Sequence, residues 1–359
     1  MSRKQAAGVL FLSALLGTVA VQTVDAKTQI STSTTNLTIN GKSMAVYTVQ
    51  SDGTPYYGTN NAAGFPTSGT SYLHTPSAQS YTFYIPAAPT LAGTAASPVY
   101  TPLGLSNSLG VAFDGVPYDP LTSNCNGSKS TSNSCTFRIE GRLQTTPATA
   151  SSAYGTGRLG FDTHNGHSQS NGSYHYHSIP CGISTGSSAL ITCSPMVANN
   201  PWTALPSTAT VVGYARDGFP IVVQNGVTAN YAVVSAAASG RPSTNPVDST
   251  NQLGNWSADM MTLLASGSTT FTQANLPANK TFGDFVYKGP STLGTSSTAL
   301  GLCNEAPNTN PNIKTMAGVQ AAYVYYLTPN FPMVPRCLIG VTDAATATTQ
   351  GFYHAGSYD

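Results

Sequence analysis

The sequence contains very little charge. Only 8% of its 359 residues are Asp, Glu, Lys or Arg, whereas an ordinary soluble domain carries roughly 25%. The formal net charge is +1, so no electrostatic field favours nucleic acid or an acidic membrane surface as a partner. Hydrophobic residues still make up 40% of the chain, which is enough for a substantial core. We therefore expect a globular protein that does not bind nucleic acid.

The familiar catalytic motifs are also missing. The sequence contains no G-x-S-x-G, no H-E-x-x-H, no P-loop and no glycine-rich dinucleotide fingerprint after a strand. Its 13 acidic residues include no evident close pair of the kind that cleaves glycosides. These absences argue against the common enzyme classes and leave enzymatic activity an open question.

Long apolar runs are absent except at the N-terminus. There, Arg3 and Lys4 precede an apolar run from Ala6 to about Val21, followed by a small-x-small site that ends at Ala26. This run is shorter than the ~20 residues that a membrane span needs, and it is typical of a secretory signal peptide. We predict a signal peptide over 1–26, a secreted or periplasmic protein, and no transmembrane segment after cleavage.

Cysteines are few and even in number, which fits disulfide bonding in an oxidising compartment. They are Cys125, Cys135, Cys181, Cys193, Cys303 and Cys337. Sequence does not choose among the pairings, and pairing in chain order is the simplest hypothesis. Each closed loop would contribute roughly 2–4 kcal/mol to stability. The alternative is that Cys181, four residues after His177, ligates a metal.

Strand signals dominate what is present. Asn40–Gly41, Asp114–Gly115 and Asp217–Gly218 each lie between apolar or β-branched runs, the strongest short hairpin signal. Only the segment "SADMMTLLAS", which starts at Ser257, has helical spacing. The sequence thus predicts a mainly β fold, an antiparallel β-sandwich or a complex β fold with long loops and little helix.

We expect this fold to form one β-rich domain over 27–359, with a sub-boundary near residue 240 left open. Residues 239–256 and 289–312 read as long polar loops. A single β domain of this size is within the usual range.

Four of the six histidines lie within the segment 164–177, "HNGHSQSNGSYHYH". His175 and His177 are two residues apart and share one face of a strand. Asn171–Gly172 can turn the chain sharply, which brings His164 and His167 on the incoming arm against that pair. Three or four converging neutral imidazoles suit zinc or copper.

Each polar residue near the histidines allows two interpretations. Asp162 is either a further ligand or the acceptor that fixes a histidine tautomer. Tyr174 and Tyr176 are candidates to contact the ligands, although packing in the core explains them more simply. A polar turn with solvent-facing or hydrogen-bonded histidines is the alternative to a metal site. The clustering of four histidines with an aspartate favours the metal.

Several segments resemble the YHYH-domain family of mostly exported proteins, over roughly residues 50–341. They are "YHYH" after "DTHNGH", "LGVAFDGVPYDP", "GYARDGFPIV", and "LCNEAPN" followed by "YVYYLTPNFPMVPRCLIG". The resemblance implies a metal-type cluster at His164, His167, His175 and His177, with Asp162 and Asp217 close by. The chain departs from the family pattern at Tyr57, at Val222–Val223 and in the segment 323–326.

The last departure indicates an internal repeat. "YHYHSIP" (174–180) and "YVYYLTP" (323–329) share two tyrosines and a proline at the same offsets. If the two segments are copies of one strand, the second copy has kept its tyrosines for packing and lost its histidines. Any metal would then be bound at the first copy only.

Asp217 and Arg216 also allow two interpretations each, one structural and one functional. Asp217–Gly218 is a favoured hairpin turn, which explains Asp217 more simply than a catalytic role does. Arg216 is either part of a surface salt bridge, the more ordinary explanation, or a group that binds a carboxylate or an anionic ligand. Both residues are candidates to support the metal ligands.

Three functions remain at this point. The first is an exported, non-catalytic protein that binds zinc or copper. The second is a metal-dependent hydrolase or oxidase, with Asp162 or Asp217 as the base that activates a metal-bound water. The third is a cell-surface or adhesive protein in which the histidine motif is a structural clip.

Overall fold

The computed structural model describes the chain in a series of segments. They are residues 28–31, 33–39, 41–55, 76–103, 107–120, 124–125, 128–129, 164–169, 171–180, 182–183, 205–233 and 285–342. All regular elements in these segments are strands, so the predicted mainly β fold is confirmed. Within this part of the chain, no helix has the length and apolarity needed to span a bilayer.

Eighteen strands occur in these segments. They are β1 Thr28–Ile30, β2 Thr35–Ile39, β3 Lys42–Ser51, β4 Tyr81–Pro86, β5 Thr101–Pro102, β6 Gly110–Ala112, β7 Pro117–Tyr118, β8 Asn124–Cys125, β9 Ser128–Lys129, β10 Gly166–Ser168, β11 Tyr174–Tyr176, β12 Thr210–Ala215, β13 Pro220–Val223, β14 Tyr231–Val233, β15 Phe285–Tyr287, β16 Glu305–Pro307, β17 Tyr323–Tyr326 and β18 Cys337–Leu338.

A four-stranded antiparallel sheet forms from the N-terminal strands. β1, β2 and β4 all pair with the long strand β3. The predicted hairpin between β2 and β3 turns at Gly41, whose φ is 73°, a conformation that glycine adopts without strain. Apolar side chains of this sheet, among them Val49 and Phe83, form one cluster with Val111 and Tyr214 of the larger sheet. The two sheets therefore pack against each other.

The larger sheet has eight strands within the described residues, in the order β10-β11-β7-β6-β12-β13-β17-β16. Most neighbours are antiparallel, but β7 pairs with β11 and β13 pairs with β17 in parallel. The sheet is therefore mixed rather than purely antiparallel. Both parallel pairs join a tight hairpin to a strand that comes much later in the chain.

The strand order describes two equivalent halves. The first half consists of β6, β7, β10 and β11, and the second half of β12, β13, β16 and β17. Both halves have the same strand pairings, in mirrored order across the sheet. The halves meet where β6 pairs with β12, and the register there is reciprocal: Gly110 lies opposite Ala215 and Ala112 opposite Gly213. An added Cβ on Gly110 would overlap the carbonyl of Tyr214, so glycine permits the close approach of the central strands.

Local contacts repeat in both halves as well. The Ala112 amide donates to Val116 at 2.8 Å, and the Ala215 amide donates to Phe219 at 2.9 Å. Asn165 directly precedes β10 and Asn304 directly precedes β16, and both have positive φ, 66° and 55°. The repeat expected from the two tyrosine segments is thus present, and it extends over all eight strands. It aligns 109–119 with 212–222, 164–168 with 303–307, and 174–177 with 323–326.

One disulfide falls within the described residues. Cys303 and Cys337 are bonded, which confirms the third pair expected from chain order. Cys125 ends β8, whereas Cys135, Cys181 and Cys193 lie outside the described residues. The expected signal peptide over 1–26, the helical segment from Ser257 and the boundary near residue 240 also lie outside them. The single domain over 27–359 stays a prediction.

Candidate metal centre

The hairpin of β10 and β11 brings the first two histidines together. The chain turns at Gly172, whose φ is 80°, and the Asn171 side chain accepts a hydrogen bond from the Ser173 amide at 3.0 Å. In the resulting register His167 lies directly opposite His175, so both side chains point to the same face of the sheet. This is the turn that the Asn-Gly pair predicts.

His177 joins them from just beyond the end of β11. Its amide donates to the Asn165 carbonyl at 3.1 Å, which continues the pairing past the strand. Because His177 is two residues after His175, it lies on the same face. The ring centroids are 4.6 Å apart for His167 and His175, 5.1 Å for His167 and His177, and 4.8 Å for His175 and His177.

Two of the three rings have the nitrogen spacing of ligands to one metal ion, and the third ring lies near them. One nitrogen from each ring lies within 4.8 Å of the other two, and the Nε2 atoms of His167 and His177 are 3.2 Å apart. A tetrahedral zinc site with Zn–N bonds of ~2.0–2.1 Å places neighbouring nitrogens ~3.3 Å apart. A hydrogen bond between the two rings fits the same distance, so the geometry permits a metal without requiring one.

All three rings are buried. The exposed fractions of His167, His175 and His177 are 9%, 1% and 2%. Three imidazolium charges in contact at such depth would be very costly. The cluster therefore has the chemistry of neutral nitrogen donors, which is the form that binds a metal.

Asp119 adds a carboxylate that the sequence analysis missed. The parallel pairing of β7 with β11 places Tyr118 beside Tyr176, and the Asp119 amide donates to the Tyr176 carbonyl at 2.8 Å. The Asp119 Oδ2 atom consequently lies 3.8 Å from Nε2 of His175, and both side chains are buried. Parallel pairing between distant segments leaves no local sequence signal. Aligning the sequences of the two repeats would have pointed to this residue, because Asp119 corresponds to an apolar residue, Val222, in the second half.

Tyr174 and Tyr176 lie in the main hydrophobic core, in keeping with their interpretation as core aromatics. The Tyr176 hydroxyl donates to Oδ2 of Asp114 at 2.7 Å. The second half has the same pair, because the Tyr325 hydroxyl donates to Oδ2 of Asp217 at 2.5 Å. A feature present in both halves serves the common scaffold.

The contacts described for Asp217 and Arg216 do not involve the three histidines. Asp217 accepts from the Gly340 amide at 2.9 Å, and burial raises the pKa of this carboxyl to about 6. The Arg216 guanidinium donates to the Asn107 side chain at 3.2 Å. Arg216 is 4% exposed, so its expected place at the surface is wrong. It follows directly after β12, and its amide donates to the Leu109 carbonyl at 2.9 Å, just before β6.

Of the two other predicted ligands, the structure describes only His164. His164 is partly buried and is not among the residues whose ligand atoms lie within 4.8 Å of one another. It occupies the repeat position of Cys303. Asp162 lies outside the described residues. The role of both as ligands stays a prediction.

The second half replaces every polar member of the cluster with an apolar or aromatic residue. In the repeat alignment His167, His175 and His177 correspond to Ala306, Val324 and Tyr326, and Asp119 corresponds to Val222. These four counterparts all belong to one buried hydrophobic cluster. The same backbone therefore forms without histidines, so the scaffold itself does not require them.

Comparison with known proteins gives one family. A family model described as "YHYH protein" matches residues 82–340, which is most of the chain and contains both halves of the large sheet. Among curated proteins and among solved structures, none matches.

Proposed function

The chain belongs to the YHYH family, and from that premise we propose that it is an exported protein that binds one transition-metal ion, zinc or copper, through His167, His175 and His177. The observation that carries the proposal is the convergence of three ring nitrogens within 4.8 Å of one another. Imidazole nitrogen is a preferred donor for both metals.

The internal repeat supports a functional origin for the cluster. If the histidines served only to fill the core, the apolar set of Ala306, Val324 and Tyr326 would do so at the same backbone positions. Buried polar side chains are costlier than apolar ones of similar size. The first half carries that cost, and a bound ion offsets it. Because the second half forms the same backbone without these histidines, the fold does not depend on the cluster as a structural clip.

The burial of the rings favours a held ion over an open catalytic one. A catalytic zinc keeps one coordination position for water or substrate, whereas a structural or storage site is closed. Three histidines leave the fourth position of a tetrahedral ion to water or a further donor, but His175 and His177 are 1% and 2% exposed, which limits the access of a substrate to that position. We therefore place metal binding ahead of a hydrolase or oxidase.

Export is supported by two features. The buried Cys303–Cys337 disulfide is of a kind that is rare in reducing compartments. The N-terminal 26 residues have the features expected of a cleaved secretory signal. Edman sequencing of the protein recovered from the culture medium or periplasm tests this part, and we expect it to begin at Lys27.

The metal is tested by elemental analysis of the exported protein, produced without a histidine tag. We expect about one zinc or copper per chain. The variant D119V/H167A/H175V/H177Y gives the first half the four side chains that the second half has at these positions, so it should fold and carry no metal. The matched control His354→Ala removes a histidine outside the segment 164–177 and should keep the full metal content. Equal metal content in the fourfold variant, or a metal-free native protein that also takes up no added zinc or copper, would refute the proposal.

A further inference from the structure

We propose that Asp119 belongs to the metal centre as a positioning residue: its carboxylate holds the Nε2–H of His175, so that His175 binds the ion through Nδ1. This inference rests on the proposed function and adds a fourth member and a defined ring orientation to the site.

The position of Asp119 is set by the backbone of the same strand that carries His175. β7 runs parallel to β11, and the Asp119 amide donates to the carbonyl of Tyr176 at 2.8 Å. This contact fixes the carboxylate beside the neighbouring ring, 3.8 Å from Nε2 of His175. This distance is longer than a hydrogen bond, so the inference requires the pair to close by about 0.8 Å when the metal is bound.

The choice of nitrogen follows from the carboxylate. In a neutral imidazole one nitrogen carries the proton and the other has the lone pair that binds metal. A carboxylate facing Nε2 keeps the proton there, which leaves Nδ1 as the donor. Asp119 is not in the group whose ligand atoms lie within 4.8 Å of one another, so it acts through His175 rather than as an equal fourth ligand.

Charge points to the same role. Three neutral imidazoles leave both charges of a divalent ion uncompensated in a buried site, which is costly. Asp119 is 1% exposed and places a negative charge next to one ligand. Carboxylates that accept from a metal-bound histidine both orient the ring and raise its basicity.

The repeat separates this carboxylate from its structural neighbour. Asp114 is matched by Asp217 in the second half, and each accepts a hydrogen bond from a tyrosine there. Asp119 is matched by Val222, which packs in the apolar cluster with Val324. The first half therefore has both the carboxylate and the histidines, and the second half has neither at the equivalent positions.

Affinity measurements test the role of the charge. The Zn²⁺ dissociation constant is measured by competition with a chelator for the native protein, Asp119→Asn and Asp119→Val. Removing a carboxylate of this kind weakens metal binding by about 10–100-fold, and we expect both variants in that range. Asp52→Asn, which removes an acid just after β3 of the other sheet, should bind Zn²⁺ like the native protein. Affinity within twofold of native in Asp119→Asn would overturn the inference.

The ring orientation has its own readout on the native protein, independent of any variant. With ¹⁵N-labelled histidine and ¹¹³Cd²⁺ as the probe, the metal coupling of His175 should appear at Nδ1. Coupling at Nε2 would overturn the inference. A native protein that binds neither Zn²⁺ nor Cd²⁺ would refute the proposed function as well, whereas normal binding with the wrong nitrogen refutes only the role of Asp119.

Discussion

His175 and Val324 occupy equivalent places in one sheet and have opposite chemistry. The same holds for Asp119 and Val222, and for the other two histidines of the cluster and their counterparts in the second half. By contrast the aspartates at 114 and 217 are both retained, each bonded to a tyrosine. At the residue scale, comparison of the halves therefore separates what the scaffold needs from what the first half adds.

Asp217 gives the scaffold a pH dependence. Burial raises the pKa of its carboxyl in the folded protein to about 6, whereas the unfolded chain releases the proton near pH ~4. The folded state thus keeps a proton that the unfolded state has lost. The free energy of unfolding should fall as pH rises from about 4 to about 6, by roughly 3 kcal/mol in total.

Urea unfolding at a series of pH values measures this effect. Asp217→Asn cannot titrate, so its stability should change less between pH 4 and 6 than that of the native protein. Buried Glu305, with its pKa raised to about 7, adds a slope of the same sign to both proteins. Parallel curves for native protein and variant would contradict the assignment to Asp217.

The hairpin β10–β11 is the element on which the site depends. Its register, set by the Asn171–Gly172 turn, places His167 opposite His175. The Gly172 carbonyl also accepts from the Ser77 amide at 2.9 Å, which ties the turn to the segment before β4. A one-residue slip would move both histidines to the other face.

Gly172→Ala tests this dependence. The residue has φ of 80°, and an added Cβ would overlap the Ser77 side chain. Gly41→Ala is the matched control, because Gly41 has φ of 73° in the β2–β3 turn with nothing within 4 Å of an added Cβ. Strain alone should cost the control about 1–2 kcal/mol.

We expect the Gly172 variant to lose more stability than the control in urea unfolding, and to bind Zn²⁺ more weakly. The control should bind Zn²⁺ with native affinity. Equal losses of stability in the two variants, with native zinc affinity in both, would show that the turn does not hold the site.

Local chemistry made some of these elements predictable. The turns at Gly41, Gly115 and Gly218 follow from Asn-Gly and Asp-Gly pairs between apolar runs, and all have positive φ. The parallel pairing of β7 with β11 joins segments separated by more than fifty residues, and no local pattern encodes it. Asp119 escaped the sequence analysis for that reason, and buried Arg216 was placed at the surface because its charge was weighed without its strand pairing.

On the scale of the whole molecule, the two halves share one sheet but differ in what secures them. The second half has the Cys303–Cys337 disulfide and an apolar cluster. The first half has the histidine cluster in the corresponding place. His164 stands at the repeat position of Cys303, so this particular disulfide has no counterpart at that position of the first half. Stability and metal binding should therefore respond to different substitutions.

The double variant Cys303→Ser/Cys337→Ser tests this separation. The disulfide closes a loop with a sequence separation of 34, and its removal should lower the free energy of unfolding by about 3–4 kcal/mol in the chain-entropy model. Zinc stoichiometry measured below the unfolding transition should stay at the native value. A folded variant that has lost its metal would contradict the independence of the two halves.

Anomalous diffraction at the zinc or copper absorption edge, from crystals of the native protein, shows whether the three histidines share one ion. We expect one peak at the first half of the large sheet, about 2.0–2.1 Å from a ring nitrogen of each of His167, His175 and His177, and no peak at Ala306, Val324 and Tyr326. A map of metal-loaded protein with the peak elsewhere, and the His167 and His177 rings hydrogen-bonded to each other, would contradict this expectation.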